Sequence, residues 1–406
     1  MFRSREPGAV AGAGMISLCS PEVRGNEWQY IKDCLDTGWV SSVGAYVERF
    51  ERQLADYVGQ GDSRSWHGIA TVNGTAALHI ALLVAGVQPD DEVLVSDLTF
   101  IAPANAIRYA GAWPVFIDTE PDYWQMDPAR AVDFLDNGCR WANGELRNKT
   151  TGRRVSALLP VHILGHPVDM APLLDAARRY RLAVIEDATE SLGARYQGHP
   201  VGQLGDIACF SFNGNKLITT GGGGMIVTAE QAWARKARYL TTQAKDDPLE
   251  YIHNESGYNY RLTNVQAAMG CAQFEQLDAF IETKLRIAQS YRSAFEKLPG
   301  IQVMGEAPWA HSVFWLFTIL VNAAEFGMDS RQLLRRFEQE GIQTRPLWQP
   351  MHLSPAFDSQ KHLPCSIAER LNRDGLSLPC SVGLTKAQQQ KVVDVLYRCA
   401  QKSLTA

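Results

Sequence analysis

From about residue 69 to residue 228, short apolar runs bounded by turns alternate with stretches of helical pattern, and that rhythm limits the fold more than any other feature. Ile69–Val72, Glu92–Val95, Val115–Ile117, Ala157–Val161, Leu182–Ile185, Ile207–Phe212 and Met225–Val227 are the strand candidates. Thr75–Ala85 and Ala102–Ala110 between them read as helices. Apolar strands separated by helices predict an α/β fold, with a mostly parallel central sheet covered on both faces. The stretch 137–154 breaks the rhythm: it is polar, basic and rich in turn residues, and reads as a surface insertion. Residues 264–298 read as one long helix, with Leu277, Phe280, Ile287, Tyr291, Phe295 and Leu298 on its apolar face and Pro299-Gly300 as its stop. Beyond it lies a smaller α+β unit. It has a strand near 313–321, a helix capped by Asp329 with Gln332, and a last helix capped by Thr385 with Gln388. The division expected is a leader over 1–15, a large α/β domain over 16–275, and a linking helix with a small α+β domain over 276–406.

The 406 residues suffice for two domains and a large core. A net charge of −5 offers no basic field for nucleic acid or an anionic membrane. No run approaches the roughly 18 apolar residues of a membrane helix. The eight cysteines are scattered without a Cys-x-x-Cys, which suggests neither a zinc site nor a disulfide framework and points to a cytoplasmic protein. Residues 1–14, mostly Gly and Ala after Pro7, are too poor in large apolar side chains for a signal-peptide core and read as a disordered leader.

Four segments could carry chemistry. Lys216 stands in a polar turn between an apolar run and Gly221–Gly224. It is either a solvated loop lysine or a confined, partly desolvated amine able to condense with an aldehyde, as pyridoxal phosphate requires. Asn73-Gly74-Thr75-Ala76 is either a plain strand-to-helix turn or an anion site at a helix N-terminus. It matches neither a Walker loop nor Gly-x-Gly-x-x-Gly. Asp187 ends a buried strand, where ligands of open α/β sheets gather; it either caps the next turn or pairs with a pyridine nitrogen. Phe100 follows another strand and is either core or a stacking ring. Each of the four follows a strand of one sheet, so all can meet at one edge.

The motifs NGTAALHIAL, DLTFIAPANAI, PVHILGHPVDM, IEDATESLGA, GDIACFSFNGNKLITTGGGGMI, GYNYRLTNVQAAMG and TRPLWQPMHLSPAF resemble those of the DegT-type sugar nucleotide aminotransferases, from about Ile16 to the C-terminus. The resemblance implies the pyridoxal-phosphate-dependent transferase fold type I. It implies that Lys216 forms the Schiff base and shuttles protons, that Asp187 pairs with the pyridine nitrogen, and that Phe100 stacks on the ring. The backbone at Gly74, Thr75 and Ala76, with Ser211, would hold the phosphate. Asn259 would reach the phosphate of a neighbouring subunit, which makes the enzyme a homodimer with shared sites. His162, Arg261, Arg345 and His352 would line the substrate cleft. The reaction implied moves an amino group from L-glutamate to a nucleotide-linked keto sugar.

Two departures stand out. Glu190 occupies a position near the cofactor's phenolic oxygen where many members have Gln or His, and Gly222 replaces a common Glu. Glu190 suggests a subgroup, while the Gly222 form together with the polar insertion is similar to enzymes that aminate C4 of UDP-linked 4-keto-6-deoxy sugars on the legionaminic acid or bacillosamine routes. Amination at C3 of a dTDP-linked keto sugar would use the same cofactor motifs. Dehydratases of this fold carry histidine in place of the lysine, and a non-catalytic binding protein would have no need of Lys216, Asp187 and the phosphate turn together. Arg24, Arg153, Arg154 and Arg345 are the candidates for a diphosphate contact, since a guanidinium fork matches phosphate oxygens.

Overall fold

The computed structural model describes residues 14–247, 249–358 and 363–404. Nearly all of the leader expected over 1–15 lies outside the described residues, and Ile16 is already paired with Ile342 in a parallel bridge.

Seven strands form the central sheet: β1 His67–Thr71, β2 Glu92–Ser96, β3 Trp113–Ile117, β4 Val155–Leu159, β5 Ala183–Asp187, β6 Ile207–Ser211 and β7 Gly224–Thr228. Their spatial order is β1-β7-β6-β5-β4-β2-β3. Neighbours from β6 to β3 run parallel, while β7 is antiparallel to both β6 and β1. Every strand but β7 therefore ends at the same edge. The strands are buried on both faces, which is why they read as apolar runs rather than as alternating ones. The helices Gly74–Val84, Ala102–Tyr109, Met170–Tyr180 and Gln231–Thr241 connect or follow them.

One expectation needs correction. The long helix breaks into Asn264–Phe274 and Leu277–Phe295. The first opens on a Thr263–Gln266 capping box, and at the break Gln273 donates to the Glu22 carbonyl while Glu275 bonds Tyr30 and Arg49. Polar anchoring on the N-terminal segment thus interrupts a pattern whose apolar face continues: Leu277, Phe280, Ile287, Tyr291, Phe295 and Leu298 are all buried. The surface insertion has regular structure of its own. It holds a hairpin, Cys139–Ala142 with Glu145–Asn148, turned at Asn143-Gly144 with φ of 56° and 79°. Asn-Gly is the pair that tolerates two positive φ values in a two-residue hairpin. Its base is tied to the sheet, because Asn148 and Thr151 both donate to the buried Glu92 carboxylate.

A three-stranded antiparallel sheet follows, ordered Ile301–Val303, Phe317–Val321, Gly375–Leu378. The strand expected near 313–321 is its centre. The Asp329–Gln332 box is present, and Thr385 and Gln388 exchange the corresponding bonds ahead of the helix Lys386–Leu404. The packing of this sheet is continuous with the helix side of the central one: a single apolar cluster runs from Ile69 and Val95 through Tyr291 and Phe317 to Leu396. A second cluster joins Phe50, Phe212 and Phe280, with the Phe50 and Phe212 rings 4.8 Å apart. Among the described residues, no helix is long and apolar enough to cross a membrane.

Phe50 is fully buried and touches the space where Gly270 lacks a side chain. Phe50→Ala should lower the unfolding free energy by about 3–5 kcal/mol. The shift of the urea midpoint at unchanged slope measures it.

Candidate functional site

The shared edge of the sheet is the wall of a cleft of about 390 Å³. Asn73, Gly74 and Thr75 after β1, Phe100 after β2, Val161 after β4, Asp187, Thr189 and Glu190 at and after β5, and Ser211 and Lys216 at and after β6 all line it. The opposite wall comes from far along the chain, as Trp315, Arg345, Trp348 and Ser377.

The turn after β1 is shaped by two close approaches. A Cβ on Gly74 would lie 2.9 Å from the Ser211 Cβ, and one on Gly224, at the start of β7, would lie 2.5 Å from the Asn73 carbonyl. Only glycines let β7 and the turn pass at this distance. Asn73 caps the helix Gly74–Val84 through Oδ1, which accepts the Ala76 N–H at 2.8 Å. The Ala76 N–H is thus engaged by the cap. Those of Gly74 and Thr75 belong to the helix's first turn and have no intrahelical acceptor. A helix end of this kind favours an anion. The four consecutive glycines have different duties: Gly221 takes a φ of 78°, whereas a side chain at Gly222 would meet nothing nearer than Gln266 Nε2 at 4.0 Å.

Asp187 is buried, and burial raises its pKa above the usual carboxylate range even though the Thr189 N–H, at 3.1 Å, works against it. A buried carboxylate in this state gains most from a cationic or N–H partner. His162 lies behind it. Its backbone N–H donates to the Asp187 carbonyl, its Nδ1 accepts the Val168 N–H at 3.0 Å, and its Nε2 faces Glu186 Oε2 at 3.1 Å. Val168 makes Nδ1 an acceptor, so Nε2 carries the proton and donates it. Glu186 also accepts the N–H groups of Gly202, Leu204 and Gly205.

Lys216 side-chain exposure is 14 %, and its Nζ lies 3.6 Å from Glu190 Oε1. Burial pushes the Glu190 carboxyl up to about 6, opposed by Lys216 and by the Leu164 N–H.

The sequence-derived candidates separate. Gly74, Thr75, Phe100, Asp187, Glu190, Ser211, Lys216 and Arg345 line the one cleft. His162 does not: it is fully buried with both ring nitrogens engaged in the core. Arg261 is held by buried Glu51 at 2.5 Å, with Arg238 on the same carboxylate. His352 lies between Asp97 and Glu369. Asn259 is exposed on a segment that bridges Thr242. Arg24 covers Phe280, Arg153 covers Trp113 and Arg154 pairs with Asp91, so of the four diphosphate candidates Arg345 alone reaches the cleft. Trp315 was missed. It lies in an apolar run that signals only a buried strand, and nothing in its spacing places it opposite Lys216.

His352 Nδ1 is 2.8 Å from Asp97 Oδ2 and its N–H donates to Oδ1, which ties the segment after Arg345 to the end of β2. Asp97, with Glu369 adding to it, raises the imidazole pKa above 6.5. The stability His352 contributes is therefore present in full below the unfolded value of about 6.5 and is lost as pH rises through the higher folded value. His352→Gln should lose more stability at pH 6 than at pH 9, and urea unfolding at the two pH values tests this. An equal loss at both would remove the charged imidazole from the account.

The model of the DegT/DnrJ/EryC1/StrS aminotransferase family matches residues 21–397. GDP-perosamine synthase of Caulobacter vibrioides is 39% identical over 94% of this chain and 97% of its own. GDP-perosamine synthase of Escherichia coli O157:H7 is 37% identical over 95% and 96%. The solved structure of DesV from S. venezuelae in complex with a ketimine intermediate superposes with a TM-score of 0.81, at 31% identity, over 93% of this chain and 94% of that one. The chain belongs to the DegT/DnrJ/EryC1/StrS aminotransferase family, whose members are pyridoxal-phosphate-dependent, and it is a sugar nucleotide aminotransferase of fold type I.

Proposed function

We propose that the enzyme moves the amino group of L-glutamate to C4 of a GDP-linked keto-6-deoxy sugar. The observation that carries this reading is the meeting of Lys216, Asp187 and the Gly74 turn in one cleft. A GDP-linked substrate is preferred here to the UDP-linked one expected from Gly222 and the insertion, in line with relatives covering nearly the whole chain that are named for GDP-perosamine.

The cleft fits pyridoxal phosphate by its own features. A glycine-lined helix N-terminus suits the phosphate, a buried carboxylate short of partners suits the pyridine N–H, and a confined lysine suits the aldehyde. Bound there, the cofactor supplies an aldehyde that exchanges amines and a ring that withdraws electrons from the reacting carbon. The Gly74 and Thr75 N–H groups and the Ser211 hydroxyl would bind the phosphate. Phe100 would stack against the ring, and Asp187 would keep its nitrogen protonated. Glu190 would stand beside the phenolic oxygen. Lys216 Nζ would remove the α-proton of glutamate in one half-reaction and deliver a proton to the sugar carbon in the other.

Arg345 would meet an anionic group of the substrate. His162 would act from behind, by fixing the backbone of Asp187. Asn259, exposed in this chain, would reach the partner's phosphate in a homodimer. The division near residue 275, into a cofactor-binding domain and a smaller unit that closes the cleft, belongs to the same reading.

Lys216→Arg should abolish turnover, because a guanidinium does not deprotonate at working pH. Borohydride reduction and peptide mapping should put the cofactor on Lys216 in the wild type. Incubation with glutamate and a panel of GDP-, UDP- and dTDP-linked 4-keto and 3-keto sugars should yield the aminated mass with the GDP-linked 4-keto compound. Product from a UDP- or dTDP-linked compound alone would replace the proposed nucleotide, and steady-state turnover by the Arg variant would remove Lys216 from its role.

A further inference from the structure

The Lys216 amine is placed between a carboxylate and an aromatic face. Glu190 Oε1 lies 3.6 Å to one side, and on the other Nζ stands 4.2 Å from the centre of the Trp315 ring. Both are held by the fold. Glu190 Oε2 accepts the N–H of Leu164 at 2.9 Å, and Leu164 itself holds a φ of 61°, an uncommon conformation for a leucine. The carboxyl cannot swing away without leaving that buried N–H unpaired. Trp315 Nε1 donates to the carbonyl of Asn215, the residue before Lys216, at 2.8 Å. The Trp315 carbonyl accepts from buried Lys284 at 2.6 Å, and Lys284 also donates to the Cys380 carbonyl. The surrounding charged and titratable groups are Asp187 at the end of β5, Cys19 on the Asn215 carbonyl, and Arg345 across the cleft.

We infer that Glu190, backed by the face of Trp315, is a positioning residue that strengthens Lys216 as a base. The inference rests on the proton-moving role proposed for Lys216. When Nζ takes the α-proton from glutamate it becomes an ammonium, and a carboxylate and an aromatic face already in place stabilise that charge as it forms. Burial pushes the carboxyl up to about 6, which still leaves it ionised in the neutral range.

The test separates this role from packing. Glu190→Gln keeps an oxygen for the Leu164 N–H and removes the charge. In cofactor-free protein, labelling of Lys216 by a limiting amine-acylating reagent at pH 7, mapped by mass spectrometry, should rise by about tenfold in the variant, because the amine loses the carboxylate beside it. In the cofactor-loaded enzyme, the half-reaction with glutamate should slow by about tenfold with a larger α-deuterium isotope effect and an unchanged KM for glutamate. Glu190→Asp, whose carboxylate is drawn back by one methylene, should fall between the two in both measurements. Superimposable labelling curves for wild type and Glu190→Gln would overturn the inference. Labelling needs neither cofactor nor substrate, so a failed borohydride trap at Lys216 would sink the functional reading while leaving this result to stand separately.

Discussion

The cleft depends on how closely β7 passes the turn that follows β1. Gly224 is opposite Thr71 on one side and Ser211 on the other, so the antiparallel strand joins two parallel ones at the edge where their chains leave the sheet. A Cβ there would stand 2.5 Å from the Asn73 carbonyl. Were the turn displaced, the helix N-terminus would no longer face Ser211, and the turn carrying Lys216, which leaves β6 and returns as β7, would shift with it. One missing side chain thus sets the distance between the Gly74 turn and the turn that carries Lys216.

Behind that edge, buried charge is handled by saturation. Glu186 takes four donors, three of them backbone N–H groups of the 202–205 turn and the fourth the ring of His162. Glu51 receives the Ala70 N–H together with Arg238 and Arg261. A carboxylate so supplied offsets most of the cost of leaving water. Asp187 and Glu190, at the cleft, are supplied less generously, and burial raises both. The contrast between carboxylates saturated by the fold and carboxylates kept short of partners marks where chemistry takes place.

The parallel sheet and the edge that lines the cleft were legible in the sequence for one reason. The strands are largely buried on both faces, and four of them end in or run into a polar residue that a packing argument alone does not require: Asn73, Asp97, Asp187, Ser211. What was not legible depends on contacts distant in the chain. Glu275 looks like any exposed helical glutamate until Tyr30 and Arg49 are seen on it, so the helix break was invisible. Asn143-Gly144 was a readable hairpin signal that the surrounding charges masked. His162 sits beside a strand end just as Asp187 does, yet its ring turns inward to Glu186, a choice fixed by the Val168 N–H six residues on. Trp315 carries no polar signature at all.

The two walls of the cleft differ in what constrains them. On the sheet side, Asn73, Gly74 and Ser211 are held by strand register and by the close approach of β7, so that part of the wall has little freedom to vary. Arg345, Trp348 and Ser377 are joined to it through fewer links, chiefly the Asp97–His352 pair and the pairing of Arg345 with Ser377. Trp315 is the exception, because Lys284 and the Asn215 carbonyl fasten it to the lysine's own turn. Substitutions that alter the sugar or the nucleotide should therefore be tolerated around Arg345 and Trp348. Those at Trp315 should act on Lys216, since its ring centre stands 4.2 Å from that amine.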